Sequence, residues 1–490
     1  MLKKSLLLVF TIITLLIAVL TVNTLRKGSR QLDVPPISPA QIDEAAAAQK
    51  LAGAVRFKTI SKVEDPDANA EEFAKLRSHL EQSFPHAHAA MKREIIGGAS
   101  LLYTWPGTDP QAKPIGMIAH QDVVPVAPGT EGDWQAEPFS GAIKDGFVWG
   151  RGAWDDKGNL YAMLHAVDLL AQSGFKPRQT VHLIFGHDEE IGGVRGAKAI
   201  AAELQSRNVR FDFVIDEGLL ITDGILKGID SPVALIGVAE KGYLSVQLRA
   251  TTVPGHSSMP PNETAIGLMS RALAELERRQ MPAEIGGIAR EMFETIAPEM
   301  PIINRVLLAN LWLTGPIVRT QLEKGPSTNA LIRTTTALTL VNAGNKENVL
   351  PGQADATVNF RLLPGDSPDA VLEHVKRTIA SNAIAATSTP GFSAASGVSA
   401  TESPSFQLIN RTVRELFPGT VVAPGLTLGG TDSRHFQALS DHIYRFSPVR
   451  AKAGDLPRFH GTNERISVRN YIELIQFYRR LLQNAAQSNT

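Results

Sequence analysis

The sequence predicts an α/β fold in which one mostly parallel sheet is interrupted by a smaller inserted α+β domain. Short apolar runs alternate with segments of helical periodicity from about residue 40 onward, the pattern of helices packed on a mostly parallel sheet. From about residue 239 to 400 that alternation gives way to strand-like and helical stretches of a different kind. Composition agrees: of 490 residues, 43% are hydrophobic and 20% charged, enough to bury a large core. Basic and acidic residues number 49 each, so the net charge is zero, and the basic excess expected of a nucleic-acid binder is missing. Cysteine is absent, which excludes disulfides, thiolate metal sites and a cysteine nucleophile.

The apolar runs 115–119, 181–185 and 211–215 read as strands of the main layer. Between the first two, Leu160, Met163, Leu164, Val167 and Leu170 recur at helical spacing. The second pattern consists of strands at 243–250, 334–341 and 354–362, with helices at 262–279 and 367–380. Two helices on a small antiparallel sheet make a self-contained unit. The stretch 381–403, dominated by Gly, Ser, Ala and Thr, reads as a connector, and a final helix covers 468–483. The expected division is 45–238 and 401–490 for the two parts of the main domain and 239–400 for the insertion.

The N-terminus is distinct. Lys3 and Lys4 precede an uncharged run over 5–22, and Arg26, Lys27 and Arg30 follow it. As a helix that run rises about 27 Å, close to a hydrocarbon core of about 30 Å. Residues 18–23 offer no small-x-small cleavage site. Residues 1–30 therefore read as an uncleaved signal anchor holding an exported catalytic domain at a membrane, with a secreted protein as the alternative if the signal is cleaved. Residues 31–44, with Pro35, Pro36 and Pro39, read as a linker.

Chemistry collects where the strands end. The three runs lead into His120-Gln121-Asp122, His187-Asp188-Glu189-Glu190 and Asp216-Glu217-Gly218. In open α/β sheets the ligand crevice lies beyond the carboxyl ends of the strands. A glycine-rich turn, 150–158, brings Asp155 to the same space. So many carboxylates cannot share a crevice without protonation or a cation. Imidazole and carboxylate without thiolate suits zinc, with manganese or cobalt as alternatives. Asp122, two residues beyond His120, is placed to hold its second ring nitrogen.

Five segments in order carry a resemblance: His120-Gln121-Asp122-Val123-Val124-Pro125, residues 150–158, Asp188-Glu189-Glu190-Ile191-Gly192-Gly193, residues 255–261 and Phe459-His460-Gly461-Thr462-Asn463-Glu464. Over residues 45–485 the chain resembles the co-catalytic zinc metallopeptidases and amidohydrolases that include aminoacylase, glutamate carboxypeptidase and carnosinase. It looks most like the carboxypeptidase S branch, which contains enzymes acting on N-fatty-acyl amino acids. The resemblance implies two zinc ions per subunit, bridged by Asp155, with His120 and Asp216 completing one and Glu190 and His460 the other. It implies Glu189 as general base and acid, Asp122 as partner of His120, and a cis Asp155–Asp156 peptide. The insertion would be a lid and dimerisation domain, so a homodimer is implied. His256 on it would polarise the scissile carbonyl, often in the partner's site, and Arg361 would clamp the substrate carboxylate. Asn348, Gly430 and Thr431 are further substrate-pocket candidates. The implied substrate is a small peptide or an N-acyl amino acid.

Plainer readings stand beside these. Each acidic turn alone would be a solvated loop, His460 a surface histidine, Arg361 a cross-strand partner and His256 a loop brace. His165 and His182 fall inside a helix and a strand and read as structural, whereas His187, Glu217 and His435 have no assigned role. The apolar stretch 292–318, with Trp312, is either lid core or a surface for an acyl chain. The competing functions are a non-catalytic, membrane-tethered protein that binds peptide or metal, and a phosphoesterase.

Overall fold

A computed structural model gives the structure of the protein and describes residues 2–487. Eight strands form the main sheet, in the order Lys92–Ile96, Ser100–Trp105, Val181–Gly186, Ile115–His120, Phe213–Thr222, Ile443–Ala451, Val233–Glu240 and Val421–Thr427. The central strand Ile115–His120 is parallel to both neighbours. Phe213–Thr222 pairs in parallel with Ile443–Ala451, and Val233–Glu240 with Val421–Thr427. Both faces are covered, as the continuous apolar runs require. Met117 and Ala119 pack into the core beneath helices Glu44–Val55, Lys157–Gln172 and Val468–Gln487. Ile118, between them, faces the opposite side with Ile200 and Leu204 of helix Ala197–Ser206.

A second, antiparallel sheet has the order Thr335–Ala343, Gln353–Leu362, Gly242–Thr251 and Ile384–Ser388. Gln353–Leu362 alternates buried and part-exposed residues, the signature of a sheet covered on one face. Helices Ala265–Arg278 and Pro368–Ile379 cover that face. Each is capped as its sequence suggests: Thr264 Oγ1 accepts from Gly267 N at 3.1 Å and Ser367 Oγ from Ala370 N at 3.2 Å. The connector expected at 381–403 contains the fourth strand, Ile384–Ser388. Only Ile384 and Ala386 of its side chains are buried, too few to stand out in a Ser- and Thr-rich stretch.

Residues 287–332 leave this small sheet. Helices Gly287–Ile296, Ile302–Ala309, Leu311–Leu322 and Pro326–Ile332 pack instead at the rim of the main sheet, where Met292, Phe293 and Ile296 meet Val421 and Ala423. The N-terminal helix, Leu2–Arg26, is long and apolar enough to cross a membrane. Its outer part is exposed, and its last turn docks on the helices 302–322. The segment read as a linker is tied down as well. Gln31 Nε2 donates to Val422 O at 2.9 Å while Gln31 Oε1 accepts from Val422 N at 2.7 Å. Ile37 N donates to Glu415 O at 3.0 Å.

Candidate active site

Three adjacent parallel strands deliver the acidic cluster. Ile115–His120 ends in His120, and Val181–Gly186 leads directly into the turn Glu189–Ile191. The third, Phe213–Thr222, stays paired with the central strand only to Ile215 and then slips register against Ile443–Ala451. Gly218, at φ +134°, takes that bend, and Asp216 and Glu217 turn toward the crevice at the irregularity. The fourth contributor is the turn before helix Lys157–Gln172, where the Asp155–Asp156 peptide is cis, as the resemblance implied.

His120, Asp155 and Glu190 present ligand atoms that all lie within 4.8 Å of one another. His120 Nε2 is 3.0 Å from Asp155 Oδ1, and His460 Nε2 is 2.8 Å from Asp155 Oδ2. One carboxylate therefore faces a separate imidazole with each oxygen. His460 Nε2 also lies 3.3 Å from Glu190 Oε2, while Glu190 Oε1 is buried without a hydrogen-bond partner among the described residues. Asp216, almost fully buried, accepts from Ser433 N at 2.8 Å through Oδ2 and stands outside the tight three-residue group.

Asp122 connects ligand and base. Its Oδ1 lies 3.4 Å from His120 Nδ1, and its main-chain carbonyl is 3.0 Å from the same nitrogen. The carboxylate also accepts from Glu189 N and Glu190 N, both at 3.1 Å, and from Ser61 Oγ at 2.6 Å. His120 is thus held with Nε2 toward Asp155, and the Glu189–Glu190 turn is fixed by the same carboxylate.

The electrostatics fit a divalent cation. Burial opposes a charge on His120, yet its hydrogen bonds to Asp122 and Asp155 hold its pKa well above the ordinary range. The contacts of His460 with Asp155 and Glu190 raise it to about 10. Burial pushes Glu189 up to about 8, with the charges of Glu190, Asp122 and Asp155 adding to the shift. Such a set holds its carboxylates ionised only by protonating both imidazoles or by taking up metal. Two imidazoles, several carboxylates and one orphaned carboxylate oxygen are a donor set for zinc or a similar ion.

Of the remaining expected residues, Arg361 lies with its guanidinium 5.0 Å above the Tyr243 ring, its cross-strand partner. Gly430 and Thr431 sit at the crevice rim, where Thr431 N and Oγ1 donate to Glu240 Oε2 at 3.0 and 3.2 Å. His256 and Asn348 lie together on the insertion: Ser257 N donates to Asn348 O, and His256 Nδ1 meets Ser258 Oγ at 2.8 Å. His256 is exposed; its backbone pairs with Val349 in a two-stranded ribbon, and its ring meets the hydroxyl and N–H of Ser258. His435 braces the carbonyl of Gly192 at 3.0 Å, His187 meets Ser100 Oγ at 2.6 Å, and His182 meets Thr104. Glu217 faces the cluster, and burial with nearby Asp155, Asp156 and Asp216 raises its pKa well above the carboxylate range.

Four contributors, Glu464, Arg151, Arg434 and Glu240, carry no role in the sequence reading. Glu464, fully buried, accepts from the backbone N–H groups of Gly152, Trp154 and Asp155 at 2.9–3.1 Å through Oε1. Its Oε2 takes Arg151 Nη1 at 2.6 Å, and Arg151 Nη2 reaches the carbonyl of His460 at 3.1 Å. This pair locks the Asp155 turn to the His460 loop, where His460 itself adopts φ +57°. Arg434 lies over Gly430, where a Cβ would come within 2.6 Å of its Nη2. Its guanidinium is 3.8 Å from Glu189 and close enough to Arg361 to depress that group's pKa, after burial itself. Glu240, at the junction with the insertion, is 3.2 Å from Arg445 and holds the 430–434 loop through Thr431. The signals were a lone acid four residues beyond His460, an arginine following the Gly429-Gly430 turn, and a Glu-Lys pair ending an apolar strand.

An α/β sheet with a carboxylate–imidazole cluster beyond its strand ends, joined to a small antiparallel sheet, defines a metal-dependent hydrolase. The sequence profile of "Peptidase family M20/M25/M40" matches residues 116–484, and the chain belongs to that family of metallopeptidases and amidohydrolases. It is 40% identical over 479 residues to the "Probable carboxypeptidase S-like 2" of Dictyostelium discoideum, covering 96% of this chain and 92% of the other. It is also 40% identical over 486 residues to the "N-fatty-acyl-amino acid synthase/hydrolase PM20D1" of Xenopus tropicalis, covering 97% and 94%. The crystal structure of the M20 family metallo-carboxypeptidase Sso-CP2 from Sulfolobus solfataricus shares the fold. Its TM-score is 0.65 at 19% identity, with 91% of this chain and 100% of that one covered.

Glu464→Gln should strip Arg151 of its buried counter-charge, a change that costs about 3–5 kcal/mol. Chemical denaturation should show that loss, and chelator competition should show weaker metal retention because the Asp155 and His460 loops lose their tie. Metal affinity should also fall as pH is lowered, by up to about tenfold per pH unit for each proton displaced. The sign follows from His120 and His460, which bind protons tightly in the metal-free protein and must release them on loading. Chelator competition at several pH values measures this slope.

Proposed function

We propose that the protein cleaves an amide bond next to a free carboxylate, as a carboxypeptidase or N-acyl-amino-acid amidohydrolase using two divalent ions, zinc foremost. The observation that carries this reading is Asp155, one carboxylate shared between two imidazoles, with Glu189 beside it. His120 and Asp216 would hold one ion, Glu190 and His460 the other, and Asp155 both. When bound, the ions polarise the scissile carbonyl and ease deprotonation of the attacking water. Glu189 takes that proton and returns it to the leaving amine nitrogen, and a carboxyl with a raised pKa is suited to both transfers. Arg361 pairs with the substrate carboxylate, and the flanking Arg434 strengthens the positive field there. A phosphoesterase would have no use for a carboxylate clamp, and the two relatives named above, both similar over nearly the full chain, favour amide substrates.

In this reading residues 239–400 act as lid and dimerisation domain, inserted between the catalytic parts 45–238 and 401–490. Thr335–Ala343 is an edge strand with Leu340 and Val341 in solvent, a surface suited to a second copy of the chain. His256 and Asn348 would complete the site from such a copy, with His256 donating to the developing oxyanion. Helix Leu2–Arg26 would anchor the chain in a membrane with the catalytic body exported.

A panel of dipeptides and N-acyl amino acids of increasing acyl length, assayed with the zinc-loaded full chain, tests the assignment; failure to hydrolyse either class would overturn it. Glu189→Gln should keep its metal, measured by atomic emission, while turnover falls about 10²–10⁴-fold, the usual worth of general acid–base work. Arg361→Ala should raise KM about tenfold or more for free-carboxylate substrates, since charge-assisted hydrogen bonds contribute about 1.5–3 kcal/mol. The matching amides should change little, and equal losses on both would make Arg361 structural.

A further inference from the structure

Helices Ile302–Ala309 and Leu311–Leu322 present an apolar face that no part of the described chain covers. Ile302, Ile303, Trp312, Leu313 and Ile317 are 64%, 73%, 58%, 42% and 68% exposed. Singly exposed apolar residues are ordinary, but five large ones on two consecutive helices mark an interaction surface. Between these helices and Phe293 lies a cavity of about 620 Å³, lined by Met300, Leu307, Leu308 and Leu322 and by the exposed Ile317. Lys227 and Lys324 are its charged lining residues. None of the acidic-cluster residues borders it.

What covers this face is indicated by its neighbour. Asn310, fully buried, donates to Leu20 O at 3.3 Å and to Thr24 Oγ1 at 3.2 Å, and accepts from Asn23 Nδ2 at 3.2 Å. Arg305 Nη2 donates to Lys27 O at 3.0 Å, and Glu294 pairs with Lys27 and Arg30 at 3.3 and 3.2 Å. These bonds fix the two helices at the end of the N-terminal helix, where its apolar run gives way to Arg26, Lys27 and Arg30. That end stands at the headgroup level if the helix spans a bilayer.

We propose that helices Ile302–Ala309 and Leu311–Leu322 are a bilayer-contact surface, lying in the membrane interface beside the N-terminal helix and receiving a lipid acyl chain in the cavity between them. The inference rests on the reading of Leu2–Arg26 as a membrane span and extends it to a second, separate element. The chemistry fits an interfacial helix pair: apolar side chains enter the acyl region and Lys227 and Lys324 meet lipid phosphates. An amphipathic Trp312 at their junction suits the same depth.

Tryptophan fluorescence tests this directly. The chain has five tryptophans, and Trp105, Trp134, Trp149 and Trp154 are all buried in the catalytic body. The full chain is reconstituted in phosphatidylcholine–phosphatidylglycerol vesicles whose acyl chains carry bromine, a contact quencher. Expected are flotation with the vesicles and quenching that disappears in Trp312→Phe. Ile303→Glu combined with Ile317→Glu should still float while Trp312 quenching is largely lost. A chain that floats with Trp312 unquenched overturns the surface and leaves the anchor standing; a dimer that shields Trp312 would give that result. A chain that fails to float overturns the anchor and the surface together.

Discussion

The structure is governed by the problem of burying like charges. Asp122, Asp155, Asp156, Asp216 and Asp432 are each almost entirely removed from water, with Glu189, Glu190 and Glu217 beside them. A dry crevice tolerates such a set only where each oxygen meets a donor or a cation. Asp122 satisfies its oxygens with the amides of residues 189 and 190, and Asp216 accepts from the amides of Glu217 and Ser433. Asp155 meets the two imidazoles. Among the described residues, Glu190 and Asp432 each keep one buried oxygen without a hydrogen-bond partner.

Seen this way, the surrounding loops exist to supply donors in fixed positions. Glu464 gathers three amides of the Asp155 turn and one guanidinium, so the turn cannot shift without breaking four hydrogen bonds. Glycines let other groups approach closely. A Cβ on Gly193, which has φ +68°, would come within 2.1 Å of Asp432 Oδ1, and one on Gly186 within 2.3 Å of Oδ2. Glu240 does for the 430–434 loop what Glu464 does for the Asp155 turn, from the point where the chain leaves the main sheet.

The layer architecture was legible because the central strands Ile115–His120 and Val181–Gly186 are short, fully buried and mostly apolar runs and the covering helix Lys157–Gln172 keeps its period, whereas the charged edge strand Lys92–Ile96 carried no such signal. The cluster residues His120, Asp155, Glu189, Glu190, Asp216 and His460 were legible because they lie at the ends of those runs or in motifs the resemblance carries. The supporting groups were not. Glu464 and Arg151 lie inside the quoted motifs, but their pairing emerges only once the fold brings residues 313 positions apart into contact. Ile384–Ser388 has little apolar signal because a neighbouring strand, not its own composition, makes it a strand. The excursion 287–332 looked like part of the insertion because it lies within it in sequence, yet its apolar residues were drawn to the rim of the main sheet.

The side chain of Gln31 has a consequence for solubility. Val421–Thr427 is the last strand of the main sheet, and an unpaired final strand is a template for intermolecular pairing. The amide of Gln31 donates to the carbonyl and accepts from the N–H of Val422, imitating one rung of a neighbouring strand. Helix Gly287–Ile296 covers part of the same border. The proline-containing segment that joins the N-terminal helix to the body thus also serves as a stopper: a chain shortened to residue 31 keeps it, and one shortened to residue 44 presents a bare rung to other molecules.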